Sequence, residues 1–220
     1  FNEICYKWFG KGKTKQSDNF ISLTLSVDNQ IIHTSRCLGL YKACGKTWEN
    51  QDDVPWFYRD YDDISAKLLA DLDADYSKIR EAIKEMYPEK RFTHMLDYLS
   101  LERFSYQSEN TDIKESFVTS QTLVSIKTPV KQNEEGLWEV DRNHRFFLDD
   151  IYYGNCIAKW MAEQLNIETP TIDEILHWAQ DVRGERFIDE NNRLILESED
   201  LTKHLKSGLP CFYGFNGIKE

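Results

Sequence analysis

Between Asp62 and Met86 the apolar residues Ile64, Leu68, Leu72, Tyr76, Ile79, Ile83 and Met86 fall three or four positions apart. Side chains at that spacing share one side of an α-helix, so this stretch reads as one long amphipathic helix whose apolar stripe needs a covering layer. Pro88 ends the pattern, because proline lacks the N–H a helix must donate and restricts the residue before it. A helix of this length makes the chain a problem of packing helices on one another before anything else.

The same period recurs elsewhere. Thr93 to Phe104 carries Met95, Leu96, Leu99 and Phe104, and Asp149 to Leu165 carries Ile151, Ile157, Ala158, Met161 and Leu165 behind an acidic start that suits a helix dipole. Thr169 is placed to cap a further helix that begins at Pro170 and buries Ile172, Ile175, Leu176 and Ala179. Ser198 to Leu201 opens a short last helix that runs toward Gly208 and Pro210. Strand signals are sparse: Ile21, Leu23, Leu25 and Val27 alternate with polar residues, and Leu123 to Ile126 and Leu194 to Leu196 are short apolar runs. The expectation is a mainly α chain, with a linker over Thr128 to Arg142, where Pro129, Gly136 and a polar run interrupt the pattern.

Charge and cysteine usage narrow the function. With 27 Lys and Arg against 38 Asp and Glu the net charge is −11, a field that repels phosphate backbones, so nucleic acid is not expected as a partner. The basic stretch Lys7 to Lys15 is broken by Gly10 and Gly12 and reads as a solvated loop. The five cysteines, Cys5, Cys37, Cys44, Cys156 and Cys211, are odd in number and form no CxxC pair, which suits buried thiols in a reducing compartment. No apolar run approaches bilayer length and no secretory signal heads the chain, so a soluble, cytoplasmic protein is expected; starting at Phe1 rather than Met, it reads as the later part of a longer one.

Several chemistries lack their motif. There is no GxGxxG or GxxxxGK[ST] turn to cradle a nucleotide phosphate, no HExxH or Cys/His cluster for a metal, and no GxSxG elbow. Two stretches remain. His33 follows Ile31 and Ile32 and precedes Arg36. Partial burial there suits a proton donor or acceptor near neutral pH, and equally a core histidine satisfied by a backbone carbonyl. The second stretch, His144-Arg145-Phe146-Phe147-Leu148-Asp149-Asp150-Ile151, gathers an arginine and two carboxylates where a helix begins. Asp149 or Asp150 there is either an N-terminal cap or an orienting partner for a histidine, and Arg145 is either a surface ion pair or a bidentate grip on a carboxylate.

Together, Asn29-Gln30-Ile31-Ile32-His33-Thr34-Ser35-Arg36 and the distant Arg145-Phe146-Phe147-Leu148-Asp149-Asp150 resemble the two motifs of the octopine/nopaline (opine) dehydrogenase family. That family carries Asn-Pro-x-x-His-Pro and, far downstream, Arg-(Tyr/Phe)-x-x-(Glu/Asp)-Asp opening a helix. The resemblance extends from about Phe20 to Ala179 and includes the Thr169-Pro170 helix start; Gln30 and Thr34 depart from it, standing where the family has prolines. It implies a helical domain over 1–220, of the 6-phosphogluconate-dehydrogenase C-terminal-like type, whose Rossmann partner is not in this chain, and so a helix or buried segment rather than a strand at Phe20 to Val27. It implies the substrate-binding half of an NAD- or NADP-dependent enzyme that reductively condenses an amino acid with an α-keto acid, inactive on its own, with a homodimer as a further expectation. His33 would be the acid/base, Asp150 its orienting partner and Arg145 the carboxylate anchor, with Asn29 and Arg36 as further substrate contacts; His144, beside Arg145, is a competing acid/base. The alternatives are a non-catalytic helical interaction or dimerisation module, and the second domain of a ketopantoate reductase or glycerol-3-phosphate dehydrogenase type, whose catalytic lysine has no counterpart motif here.

Overall fold

The computed structural model describes all residues except Lys13, Val27, His204 to Ser207 and Lys219 to Glu220, together with the side chain of Lys203. Its helices are α1 (Asn2–Phe9), α2 (Phe20–Thr24), α3 (Asn29–Cys44), α4 (Asp63–Met86), α5 (Tyr98–Tyr106), α6 (Ile113–Val118), α7 (Arg145–Asp150), α8 (Cys156–Leu165), α9 (Pro170–Arg183) and α10 (Glu199–Lys203). No helix among the described residues is long and apolar enough to cross a membrane.

The long periodic segment forms α4, as its spacing requires. Leu68, Leu72, Tyr76, Ile79 and Ile83 are buried along its stripe, each apolar side chain contributing about 1.5–3 kcal/mol. Ile64 falls outside the buried face, and Ser65 takes the inward position instead. There α3 and α4 meet almost backbone to backbone: a Cβ on Gly39 would lie 2.9 Å from Cα of Ser65, so only glycine allows this approach. Helix α3 is the axis of the fold. Every residue from Gln30 to Leu40 is buried, with α4, α7, α9 and the turn after α7 packed around it. Its polar side chains are satisfied internally: Thr34 Oγ1 donates to the Gln30 carbonyl at 2.6 Å and Ser35 Oγ to the Ile31 carbonyl at 2.7 Å.

Elsewhere the structure revises local expectations. Phe20–Thr24 is helical, so the alternation there does not mark a strand; Val27 lies outside the described residues. The helix expected from Thr93 begins at Tyr98, because the Asp97 side chain accepts from Ser100 N at 2.9 Å and fixes the start. Thr169 precedes α9 as expected, but its hydroxyl caps nothing. The cap comes from α4, where the buried Asp75 carboxylate accepts Thr171 N at 2.7 Å and Ile172 N at 3.2 Å. Leu123 to Ile126 forms no strand, and Leu194 makes only an isolated bridge to Ile188. The strands among the described residues, β1 (Val130–Gln132) and β2 (Trp138–Val140), form an antiparallel hairpin inside the stretch expected as a linker, with Gly136 at φ 79° in its turn. Lys7 lies in the last turn of α1, which runs on to Phe9, rather than in a loop. Of the five cysteines, all unpaired, Cys5, Cys37 and Cys156 are buried, while Cys44 is exposed and Cys211 half-buried.

Candidate active site

His33 lies in the first turns of α3, and Asp150 closes α7, far away in sequence. The expected capping by Asp149 or Asp150 does not occur. His144 caps α7, its Nδ1 accepting from Phe146 N at 3.3 Å, so Asp150 is left at the other end of that helix, beside α3. A π-helical turn, Ile151–Asn155, then re-aims the chain before α8. Gly154 in that turn lies against Gln30, where a Cβ would come within 2.4 Å of the Gln30 Cβ. Asn155 stitches the two elements, donating from Nδ2 to the Gln30 carbonyl at 3.2 Å, to Thr34 Oγ1 at 3.1 Å and to the Asp150 carbonyl at 3.2 Å.

These contacts set Asp150 Oδ2 2.7 Å from His33 Nδ1. The carboxylate accepts from Nδ1–H, fixes the ring orientation and leaves Nε2 facing the Tyr58 hydroxyl. Nε2 lies 2.9 Å from the Tyr58 hydroxyl. The ring stacks on Phe146, with centroids 3.9 Å apart, and meets Phe57 edge-on. His33 is 2% exposed and Asp150 16% exposed, so the pair sits in a low-dielectric, aromatic setting. Burial, with the nearby Tyr61 and Asp28, pushes the Tyr58 phenol well above its usual range, keeping the hydroxyl neutral and able to donate or accept. Tyr58 also lines a cavity of about 290 Å³, which touches the pair only through its hydroxyl, while Asp150 lines a second, more apolar cleft of about 760 Å³. Asn29 lies on the wall of both.

The other expected residues divide. Arg145 is exposed at the start of α7, its guanidinium 4.8 Å from the Phe146 ring centroid and without an ion pair among the described residues. Asn29 is exposed at the start of α3. Arg36 is a correction. It is fully buried, and its N–H groups bond to the Phe57, Trp56 and Asp60 carbonyls, Asp62 Oδ2 and Ser65 Oγ, so it holds the 56–62 loop and has nothing left for a substrate. That loop carries Tyr58. His144 is spent on its cap, and burial followed by Arg145 holds its pKa below the ordinary value, which disfavours the protonated form. Tyr58 and Phe146 were not singled out in the sequence; the aromatic run Trp56-Phe57-Tyr58 was the available signal.

The geometry is that of a helical domain with a buried histidine–carboxylate pair, a cavity on Tyr58, a cleft on Asp150 and an exposed arginine. Residues 16–183 match the family model described as "NAD/NADP octopine/nopaline dehydrogenase, alpha-helical domain", and the chain belongs to that family. It is 24% identical over 178 residues to an opine dehydrogenase of Haliotis discus hannai, covering 79% of this chain and 43% of that one. Tauropine dehydrogenase of Arabella iricolor is 22% identical over 207 residues, covering 92% and 50%. The chain thus spans about half the length of the curated relatives it matches. Among solved structures, octopine dehydrogenase in complex with NADH and agmatine superposes with a TM-score of 0.81 at 19% identity, covering 99% of this chain and 52% of that one, which shows the helical fold.

Proposed function

We propose that this chain, as one helical domain over 1–220, is the substrate-binding and catalytic half of an NAD- or NADP-dependent opine dehydrogenase that condenses an amino acid with an α-keto acid and reduces the resulting imine. The observation that carries this is the 2.7 Å contact between His33 and Asp150, brought together from separate helices inside an aromatic shell beside a cavity. As the amine adds to the keto carbon, the oxygen must leave as water. His33, oriented by Asp150, supplies a proton through Nε2, and Tyr58 extends that nitrogen toward the cavity. Arg145, exposed and without an ion pair, grips a substrate carboxylate in bidentate fashion, and Asn29 contributes at the rim.

In this reading the cofactor's diphosphate belongs to an upstream Rossmann domain, and the cofactor supplies the hydride when bound. A homodimer fits this reading as a further expectation.

The test uses the full-length protein, assayed for NADH and NADPH oxidation with pyruvate and a panel of amino acids. Oxidation that requires both substrates, and that falls by about three or more orders of magnitude in His33→Ala, supports the assignment. Burial of His33 to 2% exposure favours a second reading, a non-catalytic helical interaction module in which it is a core residue. Unchanged turnover in His33→Ala would establish that alternative.

A further inference from the structure

Helix α1 stands apart from the core. Of its residues only Cys5 is buried, and no apolar side chain of the helix joins the hydrophobic core or packs against it. Phe1, Ile4 and Trp8 fall three and four positions apart and so share one side, with Phe9 beside them and Glu3 and Lys7 turned away. Those four apolar side chains are 94%, 50%, 76% and 60% exposed in that order. Three of them are aromatic, each able to bury about 150–250 Å² against a partner. An apolar face on the order of several hundred Å² marks an interaction site.

Nothing in α1 itself accounts for a helix here. Isolated helices shorter than roughly 12–15 residues are marginal in water, and this one has 8 residues. Phe1 at its N-cap makes no side-chain bond to the first turn. A short, uncapped helix with one apolar side is stable only when that side is covered, and the rest of this chain does not cover it.

The place of α1 in the chain points to the cover. The family match starts at residue 16, so α1 precedes it, and the stretch 10–19 with Gly10 and Gly12 joins the two. The part that this chain shares with its curated relatives is only 43% to 50% of their length. We propose that α1 docks on the domain that precedes it in the full-length protein, which covers Phe1, Ile4, Trp8 and Phe9. The inference rests on the dehydrogenase reading, which sets a nucleotide-binding domain ahead of this chain. A domain joined through the same chain meets α1 at an effective concentration on the order of millimolar, an advantage that neither a second copy nor a membrane has. The net charge of −11 further opposes both a second copy and an anionic lipid surface.

The test uses the full-length protein carrying Ile4→Cys, labelled with a maleimide under native conditions and read by peptide mass spectrometry. The exposed Cys44 is the internal reference, and each rate is normalised to the rate in urea. Docking predicts that the introduced thiol reacts about 100-fold or more slowly than Cys44. Acrylamide quenching of Trp8, taken as the difference between the wild type and Trp8→Phe, reads the same face should Ile4→Cys fail to fold; docking predicts a shielded indole. Protection that appears only as protein concentration rises, with a doubled mass by light scattering, assigns the face to a second copy and overturns the proposal. Flotation of the protein with vesicles of anionic phospholipid, lost in Trp8→Asp, assigns it to a membrane and overturns the proposal as well. A reactive thiol and a quenchable Trp8 in a protein that turns over amino acid and keto acid overturn the docking and leave the dehydrogenase reading standing. Protection in a protein that turns over no such pair supports the docking and counts against the dehydrogenase reading.

Discussion

Gly154 and Gln30 are in contact so close that a Cβ on the glycine would lie 2.4 Å from the Cβ of the glutamine. Their approach seats the π-helical turn on α3 and thereby holds Asp150 against His33. Gly154→Ala must push α7 and α8 away from α3. The expected result is a destabilisation of about 1–3 kcal/mol, typical of overpacking, seen as a lower midpoint in urea, with a loss of turnover larger than the stability change explains. A Gly154→Ala protein with wild-type midpoint and turnover contradicts this account of how the pair is positioned.

Asp150→Asn keeps the shape of the pair and removes its charge. The amide no longer fixes the tautomer of the ring, so kcat in the full-length enzyme is expected to drop by about 10²–10⁴-fold with little change in KM. Tyr58→Phe removes the hydroxyl at Nε2 and leaves His33 and Asp150 in contact; a smaller loss, with a shifted pH profile, is expected. Steady-state kinetics across pH separates the two.

Arg36 is buried with its N–H groups engaged by the 56–62 loop and Ser65, so it acts on stability rather than on substrate affinity. Arg36→Lys cannot reproduce five donors in a planar fork and is expected to cost about 3–5 kcal/mol by chemical denaturation. A soluble, stable Arg36→Lys enzyme with only a raised KM would restore it as a substrate contact.

Helix α9 provides a paired test of its unusual cap. Asp75→Ala removes the acceptor of two backbone N–H groups and is expected to cost about 1–3 kcal/mol. Thr169→Val removes a buried hydroxyl that has no hydrogen-bond partner and is expected to be neutral or stabilising. The opposite order of the two midpoints would return the cap to Thr169.

His144 predicts a pH dependence. Its folded-state pKa lies below the ordinary value for a histidine, through burial first and Arg145 second, so the unfolded chain binds the proton more readily than the folded one. Its effect is therefore absent above about pH 6.5 and destabilises as pH falls through the window below it, where protonation also removes the acceptor that caps α7. His144→Asn keeps a capping side chain without titration. Thermal melts between pH 7 and 5 are expected to fall less steeply for this variant than for the wild type.

What could be read from sequence followed the covering of each element. Helix α4 has one face on the core and one in water, so its periodicity was visible and its bounds came out nearly right; the single helix expected from Asp149 to Leu165 ends where expected, but its first part is the end of α7 and a π-helical turn, and α8 begins only at Cys156. Helix α3 was not visible as a helix, because a segment buried on all sides has no polar face to alternate with. Its interior histidine, threonine, serine and arginine look like a polar stretch until their partners are known. The hairpin at Val130–Gln132 and Trp138–Val140 was hidden for the converse reason: its strands are three residues long, too short to show a period.

The sequence by itself determined a mainly helical chain, the extent of its long amphipathic helix α4, an excess of acidic residues, and the two motifs whose residues mark the family. Only the tertiary structure decided which of those residues act together. Asp75 caps a helix it does not belong to, Arg36 turns inward while Arg145 stays out, and Tyr58 joins His33 from a loop that neither motif contains. Periodicity is set by each helix's own contact with core and water, and so is written along the chain. Hydrogen-bond partners brought together across the core depend on how whole helices pack, which no local spacing encodes.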